Sequence, residues 1–268
     1  MNNESVNLME LLDVMARLRN LESGCPWDLK QTFETLVSST LEECYELAAA
    51  IDDGDFDHIH EELGDVLFQV IFYAQLAKEA GKFDFNDVVT TLVKKLIRRH
   101  PHVFYTDQNE LTGKTIEGVK VGWEEIKKQE RASRQQDNIL DDIPLHLPSL
   151  SRSQKLQSRA SSIGFDWHDL TGPVKKLHEE LAELEVAIAS DNKQHCADEL
   201  GDLLFSCVNS ARHMGFDAES LLRAANRKFE RRFNSVEKIF KQQGLSLEHV
   251  SLLQMDEAWD LVKSEEIK

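Results

Sequence analysis

The sequence predicts an all-α protein in which one helical domain is written twice. Three observations predict it. Apolar residues recur at helical spacing along several segments. No segment shows strand-period alternation of comparable strength. Two sequence blocks return at a single fixed offset, the mark of an internal repeat.

In chain order, Phe33, Leu36, Val37, Thr40, Leu41, Cys44, Leu47, Ala48 and Ile51 form one apolar stripe at helical spacing. Asp52-Asp53-Gly54-Asp55 is a turn-forming cluster. A second stripe follows in Ile59, Leu63, Val66, Leu67, Val70, Ala74 and Ala77, so the two segments predict an antiparallel helical hairpin. The second half repeats the arrangement as helices over 173–189 and 195–214, joined by Ser190-Asp191-Asn192. Helices are also expected over 88–99, 117–131, 218–240 and 247–264. His100-Pro101-His102 reads as a helix stop without a catalytic role.

The duplication is exact in spacing across the hairpins. Glu42-Glu43-x-x-Glu46 returns as Glu179-Glu180-x-x-Glu183, 137 residues on. Glu61-Glu62-Leu63-Gly64-Asp65 returns as Asp198-Glu199-Leu200-Gly201-Asp202 at the same offset. Lys95 and Arg99 are echoed more weakly by Lys228 and Arg232, and Trp123-x-x-Ile126-Lys127 by Trp259-x-x-Val262-Lys263. The stretch 133–150 is polar and then carries Pro144 and Pro148, which marks a linker. The expected domains are therefore 1–132 and 151–268.

Composition narrows the function classes. The formal charge is −17, from 48 acidic against 31 basic residues, and such a surface repels a nucleic-acid backbone. No apolar run approaches the roughly 18 residues a membrane span needs. The N-terminal residues show no basic region followed by an apolar core, and Cys25, Cys44, Cys196 and Cys207 include no C-x-x-C pair. They read as reduced thiols packed in cores, and the expected compartment is the cytoplasm.

The acids fall into register. In an antiparallel hairpin centred on Gly54, Glu43 stands level with Asp65 and Glu46 with Glu62. A hairpin centred on Asp191 levels Glu180 with Asp202 and Glu183 with Glu199. The inner pair lies about 12 Å from the tip, and the rotational positions bring all four acids to one side of the helix pair. An isolated E-x-x-E is ordinarily a solvated helix face. Four anions that converge need something positive among them: protons, lysine or arginine, or a hard divalent cation. Oxygen-only ligation suits Mg²⁺ or Mn²⁺ better than zinc. A di-iron site would want Glu-x-x-His, and no histidine follows either glutamate at that spacing.

E-E-x-x-E followed by E-x-x-D on the next helix resembles the all-α nucleoside triphosphate pyrophosphohydrolases, and more closely their two-domain MazG family. The likeness extends to Cys25-Pro26-Trp27-Asp28, Gly122-Trp123-Glu124, Asp141-Asp142-Ile143-Pro144 and Gly164-Phe165-Asp166-Trp167. It implies tandem MazG-like helical-bundle domains that cleave an NTP or dNTP to the monophosphate and pyrophosphate, with Mg²⁺ as cofactor and Mn²⁺ as a possible substitute. The catalytic metal ligands would be Glu180, Glu183, Glu199 and Asp202, with Glu43, Glu46, Glu62 and Asp65 the corresponding set in the first half. Glu179 and Asp198 would serve as neighbouring or nucleoside contacts. Lys176, Lys228 and Arg232 would meet phosphate oxygens, and Trp259 would stack on the base. The resemblance further implies a homodimer formed through these helices.

The halves differ in positive charge. Lys175 and Lys176 precede the second acid motif, where the first half has Ser38 and Ser39. A triphosphate needs nearby cations, so the second half is expected to carry most of the activity. Asp198 is one methylene shorter than Glu61, its counterpart. Other readings are a narrower enzyme of the same superfamily, a regulatory helical protein-binding module with a structural metal site, and a plain helical scaffold.

Overall fold

The computed structural model describes residues 7–105, 115, 118–119, 122–123, 126 and 138–266. Its elements among those residues are helices and one short 3₁₀ turn. The chain divides into two compact units, Met1–Gln129 and Glu130–Lys268. The helix expected over 117–131 lies largely outside the described residues.

The first unit begins with α1 (Leu8–Leu18), whose N-cap Asn7 accepts from the backbone of Met9 and Glu10. A short α2 (Pro26–Lys30) follows. The hairpin is α3 (Leu36–Asp53) and α4 (Phe56–Glu79). Gly54 turns the chain at φ +72°, a left-handed conformation that glycine adopts without cost, and Asp55 caps α4 by accepting from Asp57 and His58. The apolar stripe predicts α3 from Phe33, but the helix starts at Leu36 because 32–35 forms its own turn through Thr32 and Thr35. Phe33 instead stacks on Tyr73 of α4. α5 (Phe85–Arg99) opens on an Asp84/Asp87 capping box, and α6 (Pro101–Phe104) restarts the chain at Pro101.

The core of this unit gathers Met15, Leu36, Ile71, Phe72 and Leu76, with Leu11, Leu12 and Phe68 against it. Arg19 ties α1 to the end of α4 by forked bonds to Glu79 of 2.6–3.0 Å.

In the second unit, residues 138–148 lie against α7 (Ser149–Ser161): Ile143 is buried, and Arg159 bonds Asp142 at 2.6 Å and the Ile139 carbonyl at 2.9 Å. The hairpin is α8 (Thr171–Ala189) and α9 (Lys193–His213). Asp191 takes the left-handed φ of +52° that Gly54 takes in the first unit, and Asn192 caps α9. α10 (Ala218–Gln242) is followed by a 3₁₀ turn (Leu247–His249) and α11 (Leu252–Glu266). A single helix over 247–264 is therefore corrected to two elements. Val250 is extended, and Ser251 exchanges hydrogen bonds with Gln254, which starts a new helix there.

α7 joins its neighbours through glutamines: Gln157 donates to the Phe205 carbonyl, and Gln154 bridges Phe216 and Ala218. Val236, Phe240, Ala258 and Val262 pack α11 on α10.

Much of the predicted stripe is not covered within its own unit. Val37, Leu41, Ile51, Leu63, Leu67 and Val70 are exposed on the first hairpin, as are Leu181, Val186, Leu200 and Leu204 on the second. The stripes are apolar and helical, but each hairpin is only two helices thick, so one edge stays uncovered; for the same reason the cysteines expected in cores are corrected, Cys44 and Cys207 being exposed and Cys25 and Cys196 half-buried.

Candidate metal centre

The hairpins place acids in matching positions in both units. In the first, Glu43 on α3 and Glu62 and Asp65 on α4 bring one oxygen each within 4.8 Å of one another. In the second, Glu180 on α8 and Glu199 and Asp202 on α9 do the same. Each member of one trio lies 137 residues from its counterpart. Glu180 also groups with Glu179 and Glu183, one turn along α8. Glu183 and Glu46 are exposed, and neither belongs to the cross-helix trio of its unit. The geometry thus brings three of the four expected acids together across each hairpin and leaves the fourth, one turn nearer the hairpin tip, outside the trio.

The trios are costly without a counterion. Glu62 is 7% exposed. Its Oε1 faces His58 Nε2 at 2.8 Å, and its buried Oε2 has no hydrogen-bond partner. Burial pushes the Glu43 carboxyl above its ordinary value, and the charges of Asp65, Glu46, Glu62 and Glu42 push it further. An orphaned carboxylate oxygen among oxygen-only donors fits a hard divalent cation.

The second trio carries an internal cation. Lys176 Nζ lies 2.6 Å from Glu180 and 2.7 Å from Glu179, and those bonds raise its proton affinity well above that of an ordinary lysine. Glu180 is only 3% exposed, so this pairing offsets a charge almost fully removed from water. A metal held by the trio would compete with Lys176 for Glu180.

Histidines at one position of each repeat were not among the expected site residues. His195 Nε2 lies 3.0 Å from Glu199, four residues on, as His58 lies beside Glu62. The signal is visible in the chain: His-x-x-x-Glu-Leu-Gly-Asp occurs at 58–65 and again at 195–202. Each imidazole thus lies against a carboxylate of its own trio, the place that partners of metal ligands take.

The remaining expected residues lie around this centre or on later helices. Asp198 is exposed and accepts from Gln194 at 3.0 Å. Lys228 is exposed on α10. Arg232 pairs with Glu266 at 2.7 Å and lies 5.9 Å from the Trp259 ring centroid. The Trp259 ring packs beside Phe229 at 5.3 Å, within the α10–α11 core. Lys95 and Arg99 stand half-buried on α5.

The chain matches the family model of the MazG nucleotide pyrophosphohydrolase domain over residues 31–104 and 171–237, which are the two hairpin regions. It is 49% identical over 259 residues to the nucleoside triphosphate pyrophosphohydrolase of Escherichia coli strain K12, covering 96% of this chain and 97% of that one. It is 45% identical over 254 residues to the nucleoside triphosphate pyrophosphohydrolase/pyrophosphatase MazG of Thermotoga maritima, covering 95% and 94%. A solved structure of a mazG-related protein from Thermotoga maritima aligns with 45% of this chain and 99% of its own, at 29% identity and a TM-score of 0.38.

Proposed function

The chain belongs to the MazG family of nucleotide pyrophosphohydrolases, and we propose that it hydrolyses NTPs and dNTPs to the monophosphate and pyrophosphate, chiefly through the second hairpin. The observation that carries this reading is the trio of Glu180, Glu199 and Asp202, three carboxylate oxygens within 4.8 Å beside a lysine.

These three residues would hold Mg²⁺, or Mn²⁺ in its place, with Glu183 available from the next turn of α8. What such an ion supplies when bound is Lewis acidity, which offsets phosphate charge and makes water a better nucleophile. The chain's own residues do the rest. His195 holds the Glu199 carboxylate in its position. Lys176 stands beside Glu180 and Glu179, where its ammonium could exchange a carboxylate for a phosphate oxygen. Lys228 and Arg232 are the further phosphate contacts; Arg232 must first leave Glu266. Trp259 can meet a base only by the edge that its packing leaves free. Water adds at the α- or the β-phosphorus, the bond from that phosphorus to the α–β bridging oxygen breaks, a proton of the water passes to solvent, and the products are the monophosphate and pyrophosphate.

Two further readings belong to this proposal. The uncovered stripes on both hairpins suit pairing with a second copy, since two-helix layers close a core only by stacking on another layer. Among the described residues no helix is long and apolar enough to cross a membrane; a cytoplasmic homodimer acting on free nucleotides is part of the same proposal.

The test is incubation with the eight common NTPs and dNTPs, scoring pyrophosphate against orthophosphate. Pyrophosphate release that stops with chelator and returns with Mg²⁺ or Mn²⁺ is expected. Orthophosphate alone, or turnover indifferent to chelation, contradicts the proposal.

A further inference from the structure

Three helices of the first unit enclose a cavity of about 280 Å³ that the chemistry above does not use. Asp13 and Ala16 reach it from α1, Ile71, Ala74 and Lys78 from α4, and Phe85 from the start of α5. The room comes from side-chain size. Alanine stands at both 16 and 74, on two helices that pack together, and larger residues there would close the gap. Ile71 and Ala74 are only 1% and 2% exposed, so the floor is apolar and already withdrawn from water.

The mouth of the cavity is charged. Asp13 and Lys78 are exposed beside it, and neither makes a hydrogen bond or ion pair among the described residues. Asp84 also lines it, with one oxygen accepting from the Asp87 amide at 3.1 Å. Gln75 is engaged with Glu79 at 2.8 Å. No acid of the metal-binding trio lines the cavity.

The second copy shows that the fold does not require these charges. The cleft between α7, α9 and α10 is of similar size, about 270 Å³, and Leu150, Val208, Ala211, Ala218 and Leu221 are among its lining residues, none of which is charged. Val208 and Ala211 lie 137 residues on from Ile71 and Ala74, and Gly215 stands at the place of Lys78. The charged mouth is therefore particular to the first copy.

A ligand that suits this cavity has an apolar body for the floor, a cation for the two carboxylates and an anion for the lysine. A nucleotide does not suit it, because two carboxylates and a single ammonium repel a polyphosphate. The volume also falls just under the roughly 300 Å³ at which sites for drug-sized ligands begin. A free α-amino acid with an apolar side chain carries all three features on one small frame. We propose that the cavity between α1, α4 and the start of α5 binds such an amino acid, of about the size of leucine. Its ammonium meets Asp13 and Asp84, its carboxylate meets Lys78, and its side chain lies on Ile71 and Ala74. The site is separate from the hydrolytic centre and does not depend on that reading.

The experiment is calorimetric titration of the full chain with leucine and with two fragments of it. These are 3-methylbutylamine, which lacks the carboxylate, and 4-methylpentanoate, which lacks the ammonium. Leucine is expected to bind once per chain in the millimolar range or tighter, and each fragment about tenfold more weakly or worse. Asp13→Asn and Lys78→Met should each weaken leucine about tenfold, and Ala16→Leu should abolish binding by filling the cavity. Thermal melts check that the variants fold. The two exposed positions carry the test if Ala16→Leu does not. No leucine binding up to ~10 mM, a fragment that binds as well as leucine, or affinity indifferent to both charge substitutions overturns the proposal.

Discussion

The two hairpins gather the same three carboxylates and manage their repulsion differently. In the second, Lys176 sits on Glu180 and supplies a positive charge from within the helix. In the first, the matching position is Ser39; Glu43 is driven toward its protonated form, and a buried oxygen of Glu62 is left without a partner. On the proposed reading, the same acid geometry is the main working centre in one copy and a weaker one in the other. What separates them is Lys176, which offsets the charge of Glu180 from within the same helix.

Removing Lys176 should erase most of this difference. Lys176→Ala is expected to lower kcat on the order of 100-fold, the scale of a lost donor to developing charge, as measured by pyrophosphate release at saturating Mg²⁺. A loss confined to KM would mean that the lysine binds ground-state phosphate only.

The histidines test what the copies share. His195→Ala and His58→Ala should each weaken Mn²⁺ binding at one site about tenfold, as losses of residues that orient metal ligands do. Calorimetric titration with Mn²⁺ reads both sites in one experiment. Two unaltered isotherms would show that the imidazoles do not position Glu199 and Glu62.

The smallest effect is on stability. The folded-state pKa of Glu43 is raised, so its contribution favours folding below the ordinary carboxylate range and is lost as pH rises through the raised value. At neutral pH without metal, its ionised form works against the first unit. Glu43→Gln should raise the metal-free thermal midpoint there by roughly 2 °C, and the gain should shrink below about pH 4. A lowered midpoint at neutral pH would remove the repulsion from the account.

Much of this was legible in the chain. The duplication, both hairpins, the turns at Gly54 and Asp191, and the level acids follow from spacing alone, because helical periodicity and a constant offset are strong signals. Spacing says less about which acids touch. Glu46 and Glu183 share a helix edge with Glu43 and Glu180, yet lie outside the cross-helix trios, because a wheel resolves rotation too coarsely to separate residues one turn apart. The break at Val250 was hidden because Ser251-x-x-Gln254 competes locally with continuous apolar spacing. His58 and His195 were readable at the common offset, but their role depends on a contact one turn along the helix. The contact of Asp166 with Arg212 and His213 joins residues more than forty apart in sequence, and only the folded chain brings them together.

The central claim is that the second trio does the chemistry. It is tested most directly by comparing pyrophosphate release per chain in Glu180→Gln and Glu43→Gln, with metal occupancy measured in both. The account predicts a loss on the order of 100-fold or more for Glu180→Gln and a much smaller one for Glu43→Gln. Equal losses, or a larger loss from Glu43→Gln, would contradict it.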